Sequence, residues 1–182
     1  MELIGTEFYG LYIIKPKIYT DNRGYFFESY RYDAFIKCGI TFIPVQDNES
    51  RSSKGVIRGL HYQLKPYDQA KLIRAVVGKI FDVAVDLRKD SATYGKWFGI
   101  ELDSENKIQV FIPKGFAHGF SVLSETAIIQ YKCDNQYNSL YERGISLKDP
   151  ALNIDWKTDL ASAIISEKDL KNPPFDKAEN NF

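Results

Sequence analysis

Short runs of strand-forming residues, separated by turn residues, recur along most of this chain. Such runs include LYIIK, KLIRAVV, IFDVAVDLR and AIIQYKC, which are rich in β-branched and other large apolar residues. Turn sequences such as DNRG at 21–24 and DSEN at 103–106 lie between runs of this kind. Many short strands at fairly even spacing are typical of a β-sandwich or barrel, so the sequence predicts an all-β fold. Only YDAFIKCG and DLASAIISEKDLK favour short helices.

One predicted strand, residues 81–88, alternates strictly between two kinds of side chain. One face carries the apolar side chains of Phe81, Val83, Val85 and Leu87. The other face carries Asp82, Ala84, Asp86 and Arg88. A period of two places the first set against a dry core. The second set faces either ordinary solvent or the polar interior of a barrel-like sandwich, where ligands bind.

The composition narrows the class of protein. The chain has 182 residues, of which 44% are hydrophobic, so residues 1–182 are expected to form a single globular domain with a sizeable core. Lys and Arg together number 24, as do Asp and Glu, and the formal net charge is zero. A balanced charge argues against binding to nucleic acid, which needs concentrated positive charge.

Signals for export or membrane insertion are not found in the sequence. The amino-terminal MELIGTEFYG has no basic segment before a long apolar run, so it does not read as a signal peptide. No apolar stretch approaches the roughly 20 residues needed to cross a bilayer. Cys38 and Cys133 are far apart and form no CxxC pair, which favours a reducing compartment. The sequence therefore predicts a cytoplasmic protein without membrane contact.

The segment GVIRGLHYQLKP, residues 55–66, holds one of the two histidines of the chain. It predicts a strand, yet Arg58 and His61 lie three positions apart in it, and such positions point to opposite faces of a regular strand. Gly59 is a natural place for a bulge, which would turn both side chains to one side. The pair is either a surface arginine with a structural histidine, or a phosphate-binding cation beside a proton-accepting imidazole.

Further polar and aromatic residues lie at predicted strand ends and turns. His118 lies in the glycine-flanked turn of PKGFAHGF, and Lys71 begins the strand KLIRAVV. Three more polar residues follow the predicted strand TFIPV, namely Gln46, Asp47 and Asn48. Tyr131 and Tyr137 flank the turn-prone residues 134–135, so we expect them in different parts of one pocket. Taken singly, each of these residues could have an ordinary structural role.

Seven segments taken together identify a family. They are RGYFFE, VQDNES, GVIRGLHYQ, QAKLIRAVVGKIFDVAVDLR, PKGFAHGF, QYKCDNQY and ISEKD. In their order and spacing, the chain resembles the dTDP-4-dehydrorhamnose 3,5-epimerases over nearly its whole length. The resemblance implies an all-β, cupin-like jelly roll, or double-stranded β-helix, with a few short peripheral helices. It also implies cofactor-free inversion of C3 and C5 of dTDP-4-dehydro-6-deoxy-D-glucose, which gives dTDP-4-dehydro-L-rhamnose.

The resemblance implies roles for four residues in that reaction. A proton next to a carbonyl group is removed readily only if the developing enolate is stabilised, and inversion needs a base and an acid on opposite faces of the ring. By resemblance, His61 is the base, and Asp169 holds its imidazole in the right tautomer. Lys71 stabilises the charge on the C4 oxygen, and Tyr131 returns a proton from the other face.

The resemblance further implies a set of substrate-binding residues. They are Arg23, Glu28, Gln46, Asp47, Asn48, Arg58, His118, Tyr137, Glu142 and Lys168. Tyr137 is expected to stack on the nucleobase. In the family the amino-terminal strand exchanges across a homodimer, so Arg23 and Glu28 are expected to serve the neighbouring subunit's site. The chain departs from the family at residues 138–139, Asn-Ser, where relatives often have His-Pro beside the nucleotide.

Three alternative functions are compatible with the sequence. A metal-dependent cupin enzyme usually gathers two or three histidines with a carboxylate, whereas this chain has only His61 and His118 and no HxH motif. A non-catalytic nucleotide- or sugar-binding module would not need a complete set of proton-transfer groups. An epimerase that inverts only C3 or only C5 would use the same groups and is the nearest alternative.

Overall fold

The chain forms thirteen strands and two short helices, seen in a computed structural model that describes every residue from Met1 to Phe182. The strands are β1 (Glu2–Gly5), β2 (Tyr12–Lys15), β3 (Tyr19–Asp21), β4 (Gly24–Phe26), β5 (Gln46–Ser53), β6 (Ile57–Gln63), β7 (Lys71–Val77), β8 (Lys79–Asp86), β9 (Trp97–Asp103), β10 (Gln109–Ile112), β11 (Phe116–Val122), β12 (Thr126–Cys133) and β13 (Glu142–Gly144). The helices are α1 (Tyr32–Lys37) and α2 (Glu167–Leu170), and a 3₁₀ turn spans Phe175–Lys177. The prediction of an all-β fold with short helices is confirmed.

Most of the strands belong to two antiparallel sheets. The six-stranded sheet has the order β1-β2-β10-β7-β12-β5, and the five-stranded sheet has the order β13-β6-β11-β8-β9. From β5 onward the chain crosses repeatedly from one sheet to the other, which is the jelly-roll arrangement of cupins. Strands β3 and β4 form a separate hairpin.

Three apolar clusters pack these layers together. The central cluster lies between the two sheets and includes Ile73, Ile80, Val110, Phe116 and Ile129. The second cluster covers the outer face of the five-stranded sheet, where Trp156 of the carboxyl-terminal segment packs with Val83 and Val85. The third lies on the outer face of the six-stranded sheet, where Phe35 of α1 packs on Phe111. The five-stranded sheet is therefore covered on both faces.

Both faces of strand β8 lie against other parts of the protein, because the five-stranded sheet is covered on both sides. Val83 and Val85 pack under the carboxyl-terminal segment, whereas Ala84 belongs to the central cluster. Asp82 is only 1% exposed and is hydrogen-bonded to His118. The polar face of this strand thus meets the interior of the sandwich rather than solvent, which decides between the two alternatives for residues 81–88.

The bulge expected at Gly59 is confirmed by the pairing of β6 with β11. His61 pairs with His118 and Arg58 pairs with Phe120, so β6 has one more residue than β11 between these two pairs. Gly59 has φ of 137°, and a Cβ atom there would lie 2.6 Å from the Cα of Gly119. Both the conformation and the close approach of the two backbones require glycine.

Two expectations about local structure are wrong. Gln46, Asp47 and Asn48 do not follow a strand, because they begin strand β5, and residues 41–45 are not in a strand. Pairing along the whole of β12 imposes this conformation on a polar sequence of low strand propensity. His118 does not lie in a turn either. The turn ends at Gly115, and His118 is the third residue of the fully buried strand β11.

Candidate active site

A cavity of about 530 Å³ opens at one end of the sandwich, between the two sheets. Its walls are formed by β5, β7 and β12 from one sheet, β6 and β11 from the other, and α2 with the segment before it. All but three of the predicted site residues line it, namely Gln46, Asn48, Arg58, His61, Lys71, His118, Tyr131, Tyr137, Glu142, Lys168 and Asp169. Residues that are more than 100 positions apart in the sequence therefore meet in one chamber.

His61 and Asp169 form a close pair on one wall of the cavity. The His61 Nε2 atom lies 2.7 Å from Asp169 Oδ1, and the Gly59 amide donates a longer bond of 3.4 Å to the other carboxylate oxygen. Helix α2 holds Asp169 in place, because the Ser166 side chain caps the helix by accepting a hydrogen bond from the Asp169 amide. Burial raises the pKa of Asp169, but the hydrogen bond and charge of His61, together with the bonds from Gly59 and Ser166, outweigh it, and the pKa lies below its usual value.

Lys71 lies on the facing sheet as the first residue of β7, and its ammonium group makes no hydrogen bond or ion pair. Burial lowers the pKa of Lys71, while the negative charges of Asp82 and Glu142 act in the opposite direction. An unpaired cation in a recessed site is costly, and a substrate oxygen that gains negative charge would relieve that cost.

Tyr131 projects into the cavity from β12, in the sheet that faces His61. Its hydroxyl group makes no hydrogen bond within the chain, and burial raises its pKa. The phenol is therefore protonated at neutral pH and free to donate its proton. Because the imidazole and the phenol belong to different sheets, they approach a bound molecule from different walls.

A chain of three polar side chains closes one side of the cavity mouth. Tyr137 donates a hydrogen bond of 2.7 Å to Glu142, and the Lys168 ammonium lies 2.6 Å from the same carboxylate oxygen. Burial raises the pKa of Glu142, but the bonds from Lys168 and Tyr137 outweigh it, so the group stays ionised. The aromatic ring of Tyr137 remains exposed beside the opening.

Arg58 lies at the rim, as the bulge in β6 predicts. Its Nε atom donates to the Ser52 hydroxyl at 3.1 Å, and the guanidinium is exposed to solvent on its other side. Gln46 accepts a hydrogen bond from the Tyr137 amide at 2.8 Å and donates another to Asn48. The predicted polar residues of β5 thus support the segment that carries Tyr137.

Three predicted site residues lie outside this cavity. Asp47 points to the opposite face of β5 from its neighbours and pairs with Lys132 at 2.5 Å. Arg23 lies in the β3–β4 turn and pairs with Asp21, while Glu28 pairs with Arg31. The structure therefore does not bring these three residues to the site of their own chain.

Two polar residues near the site were not predicted from the sequence. Asp82 contacts His118 from the neighbouring strand β8, and the alternation of residues 81–88 had already placed it on a polar face. Gln63 is 5% exposed, and its side-chain amide bonds the backbone of Tyr67, Gln136 and Asn138. No local signal marks Gln63, because its partners lie up to 75 residues away.

No group of three or more His, Cys, Asp and Glu side chains is arranged to hold a metal ion. None of the helices is long and apolar enough to cross a membrane.

Proton transfer at carbon is the chemistry that these walls can support, and a jelly roll built around such a cavity is a cupin-like isomerase. A family model described as dTDP-4-dehydrorhamnose 3,5-epimerase matches residues 5–177, and the chain belongs to that family. The resemblance seen in the sequence is thereby confirmed.

Individual relatives agree with this assignment over almost the full length. The dTDP-4-dehydrorhamnose 3,5-epimerase of Shigella flexneri is 49% identical over 180 residues, which is 98% of each chain. The crystal structure of the enzyme of that name from Elizabethkingia anophelis superposes with a TM-score of 0.94 at 50% identity, covering 98% of this chain and 99% of that one. A Legionella pneumophila 3,5-epimerase was solved in complex with dTDP-4-keto-L-rhamnose. It has a TM-score of 0.92 at 47% identity, covering 97% of this chain and 93% of that one.

Proposed function

We propose that this protein inverts C3 and C5 of dTDP-4-dehydro-6-deoxy-D-glucose to give dTDP-4-dehydro-L-rhamnose, with no cofactor. One observation carries the proposal beyond family membership. A hydrogen-bonded imidazole and a free phenol face one cavity from opposite sheets, and an unpaired lysine lies in the same cavity. A module that only binds a nucleotide sugar would not need this combination.

The reaction begins with removal of a proton from the carbon next to the ketone. The His61 Nε2 atom is engaged with Asp169, so Nδ1 is the nitrogen that can accept this proton. The Asp169 carboxylate then balances the charge of the imidazolium that forms. The electron pair of the C–H bond moves toward the C4 oxygen, where the Lys71 ammonium stabilises the enolate.

Inversion is completed when a proton returns to the opposite face of the same carbon. Tyr131 supplies it: burial raises the pKa of the phenol and so keeps it protonated at neutral pH, and its hydroxyl group has no other partner. The tyrosinate and the imidazolium then exchange protons with water, and the cycle is repeated at the second carbon. One enolate-stabilising group serves both steps because C3 and C5 flank the same ketone.

The rest of the cavity binds the nucleotide part of the substrate. Arg58 at the rim provides a planar fork of donors that suits diphosphate oxygens. The exposed ring of Tyr137 can stack on the base, and Lys168 adds positive charge on the same side. His118 and Asn48 contact the sugar from the inner walls.

The active protein is a homodimer with an exchanged amino-terminal strand. Two observations support this part of the proposal. The β3–β4 hairpin exposes Tyr19, Tyr25 and Phe26, the last to 66%, the Tyr19 and Phe26 rings lie 6.5 Å apart, and exposed aromatic surface is typical of an interface. Arg23 and Glu28, next to these rings, have no access to the cavity of their own chain.

Two unpaired thiols, Cys38 and Cys133, support a reducing, cytoplasmic location.

The product formed in deuterated water tests the reaction. Purified protein is incubated with dTDP-4-dehydro-6-deoxy-D-glucose in D₂O, and the product is examined by NMR. Solvent deuterium is expected at both C3 and C5, because each carbon gives up its proton and receives one from exchangeable groups. The same result is expected after treatment with a chelator.

Two outcomes would contradict the proposal. Deuterium at one carbon alone would identify an epimerase of single-site type. Activity that is lost with a chelator and restored by a metal ion would identify a metal-dependent cupin enzyme.

A further inference from the structure

Gln63 is a buried amide on the strand that carries the proposed base. It is the last residue of β6 and lies two positions after His61, so both side chains reach the cavity from one face of the strand. Its Nε2 atom donates to the Tyr67 carbonyl oxygen at 2.7 Å and to the Gln136 carbonyl oxygen at 3.2 Å. Its Oε1 atom accepts a bond of 2.6 Å from the Asn138 amide. The side chain therefore uses both of its donor hydrogens and its acceptor oxygen on backbone groups.

Two of these three bonds hold the backbone on either side of Tyr137. That residue follows the end of β12, in a segment that belongs to no strand. Gln136 precedes it and Asn138 follows it, while the Tyr137 amide itself donates to the Gln46 side chain at 2.8 Å. Side-chain amides from β5 and β6 thus take the place of the strand pairing that would otherwise satisfy this backbone.

The hydroxyl group of Tyr137 is held from the same part of the sheet. It donates a bond of 2.7 Å to Glu142, and Glu142 pairs directly with Gln63 where β13 runs beside β6. The backbone and the hydroxyl group of Tyr137 are therefore held by two side chains that are neighbours across adjacent strands. The ring between these two attachments stays exposed at the opening of the cavity.

Loss of Gln63 would leave the Gln136 carbonyl and the Asn138 amide without these partners. Unpaired backbone groups are costly away from water, so the segment would shift to recover hydrogen bonds and would carry the Tyr137 ring with it. A ring that is already in place loses little conformational freedom when a base stacks on it, so fixing it in advance strengthens binding. The bonds of Gln63 do not reach the side chains to which the mechanism assigns proton transfer and charge stabilisation.

We propose that Gln63 is a positioning residue for the nucleotide part of the substrate. By holding the backbone on both sides of Tyr137, it presents the ring to the base at a fixed distance from His61 on the same strand. Its effect is on the affinity for the substrate and not on the rate of proton transfer. This inference rests on the proposed function, in which the Tyr137 ring stacks on the base.

The variant Gln63→Met tests the proposal, because it removes all three hydrogen bonds and nearly preserves the volume of the side chain. We expect the Kd for dTDP, measured by calorimetric titration, and the KM for the dTDP-4-keto sugar to rise about 5- to 30-fold, which lies within the usual worth of base stacking. The kcat should stay within about threefold of wild type, since only uniform binding is lost.

The same substitution in the neighbouring segment is the matched control. The Gln136 side chain is exposed and makes no hydrogen bond, so Gln136→Met should bind dTDP as wild type does. If Gln63→Met does not fold, Gln63→Asn replaces it. That variant keeps a buried amide, but it is one methylene too short to make the same three bonds, and the same changes in Kd, KM and kcat are expected.

A double variant separates positioning of the ring from a general structural role. In a Tyr137→Ala background, Gln63→Met should weaken dTDP binding by less than about threefold, because the ring through which Gln63 acts is absent. A side chain that only supports the cavity wall would weaken binding by the same factor in both backgrounds.

Equal losses of dTDP affinity in the two backgrounds would overturn the inference, as would an unchanged affinity in Gln63→Met or a loss confined to kcat. The expected pattern of dTDP binding in a protein that epimerises nothing would instead overturn the proposed function and leave the positioning of Tyr137 by Gln63 standing.

Discussion

His61 and Tyr131 differ in how firmly the fold holds them, and this difference suits their proposed roles. The His61 ring is held by a bond to Asp169, which is itself fixed by the cap of α2. The Tyr131 hydroxyl group has no partner in the chain, so its proton is not committed to a structural bond. A base benefits from a fixed tautomer, whereas an acid benefits from a proton that is free to leave.

The variant Tyr131→Phe should separate removal of the proton from its return. We expect kcat for epimerisation to fall by something like 10²–10⁴-fold, because a general acid is lost while the ring and its packing remain. Exchange of the substrate's own proton with solvent should continue, since His61 is intact. Product formation and proton exchange are both measured by NMR. If exchange stops together with epimerisation, Tyr131 is not simply the acid.

Tyr137 should depend on its ring more than on its hydroxyl group. The bond from its hydroxyl to Glu142 is exposed, so Tyr137→Phe should be mild, while Tyr137→Ala should weaken dTDP binding by roughly 1–3 kcal/mol, the usual worth of base stacking. Calorimetric titration with dTDP measures both effects. Losses of kcat in Tyr137→Phe as large as those in Tyr131→Phe would show that the two roles are assigned wrongly.

At the scale of whole elements, the crossing of β6 and β11 decides the shape of the cavity wall. The bulge at Gly59 brings Arg58 and His61 to the same chamber, and Gly119 on β11 leaves room for it. A Cβ atom on Gly119 would lie 2.7 Å from the Arg58 carbonyl oxygen and 3.1 Å from the Gly59 Cα. Neither strand can move away, because each is paired on both of its edges.

The variant Gly119→Ala should therefore be destabilising. Forcing a methyl group between two paired backbones typically costs about 1–3 kcal/mol, and urea denaturation would measure the loss. Gly5→Ala is the matched control, since no atom lies within 4 Å of a Cβ there, and its stability should be close to that of wild type. Equal stability of the two variants would mean that the crossing tolerates more movement than its contacts indicate.

At the scale of the whole molecule, the position of Arg23 raises the question of which subunit's site it serves. The residue lies on the hairpin with the exposed aromatic rings and outside the cavity of its own chain. In the proposed homodimer, Arg23 of one subunit completes the site that contains His61 of the other. Each site would then be built from two chains.

A mixture of two inactive variants tests this arrangement. Arg23→Ala and His61→Ala each impair both sites of a homodimer. After unfolding and refolding together, a mixed dimer contains one site with both residues intact, so activity should return to about a quarter of the wild-type value. If Arg23 serves its own chain, mixing should restore nothing, and each variant refolded alone provides the baseline.

Much of the fold and of the site could be predicted because it is encoded locally. Runs of strand-forming residues between turn residues marked β7, β8 and β12 correctly, and in β8 a period of two also indicated which side chains share a face. The bulge was predictable because a glycine between two polar residues in a strand is itself a local signal. The expectation for residues 46–48 failed because pairing with β12 overrides the weak strand propensity of polar residues.

The sequence by itself determined most of the strands, the two short helices and the family, and with the family a set of candidate site residues. The tertiary structure decided which of those residues meet. Register across two sheets set His118 against Asp82, 36 residues away, and α2 brought Asp169 to His61 across 108 residues. The alternation of β5 turned Asp47 away from the cavity that Gln46 and Asn48 line. The physical reason is that strand pattern depends on neighbours along the chain, whereas a site depends on which faces of which strands are packed together.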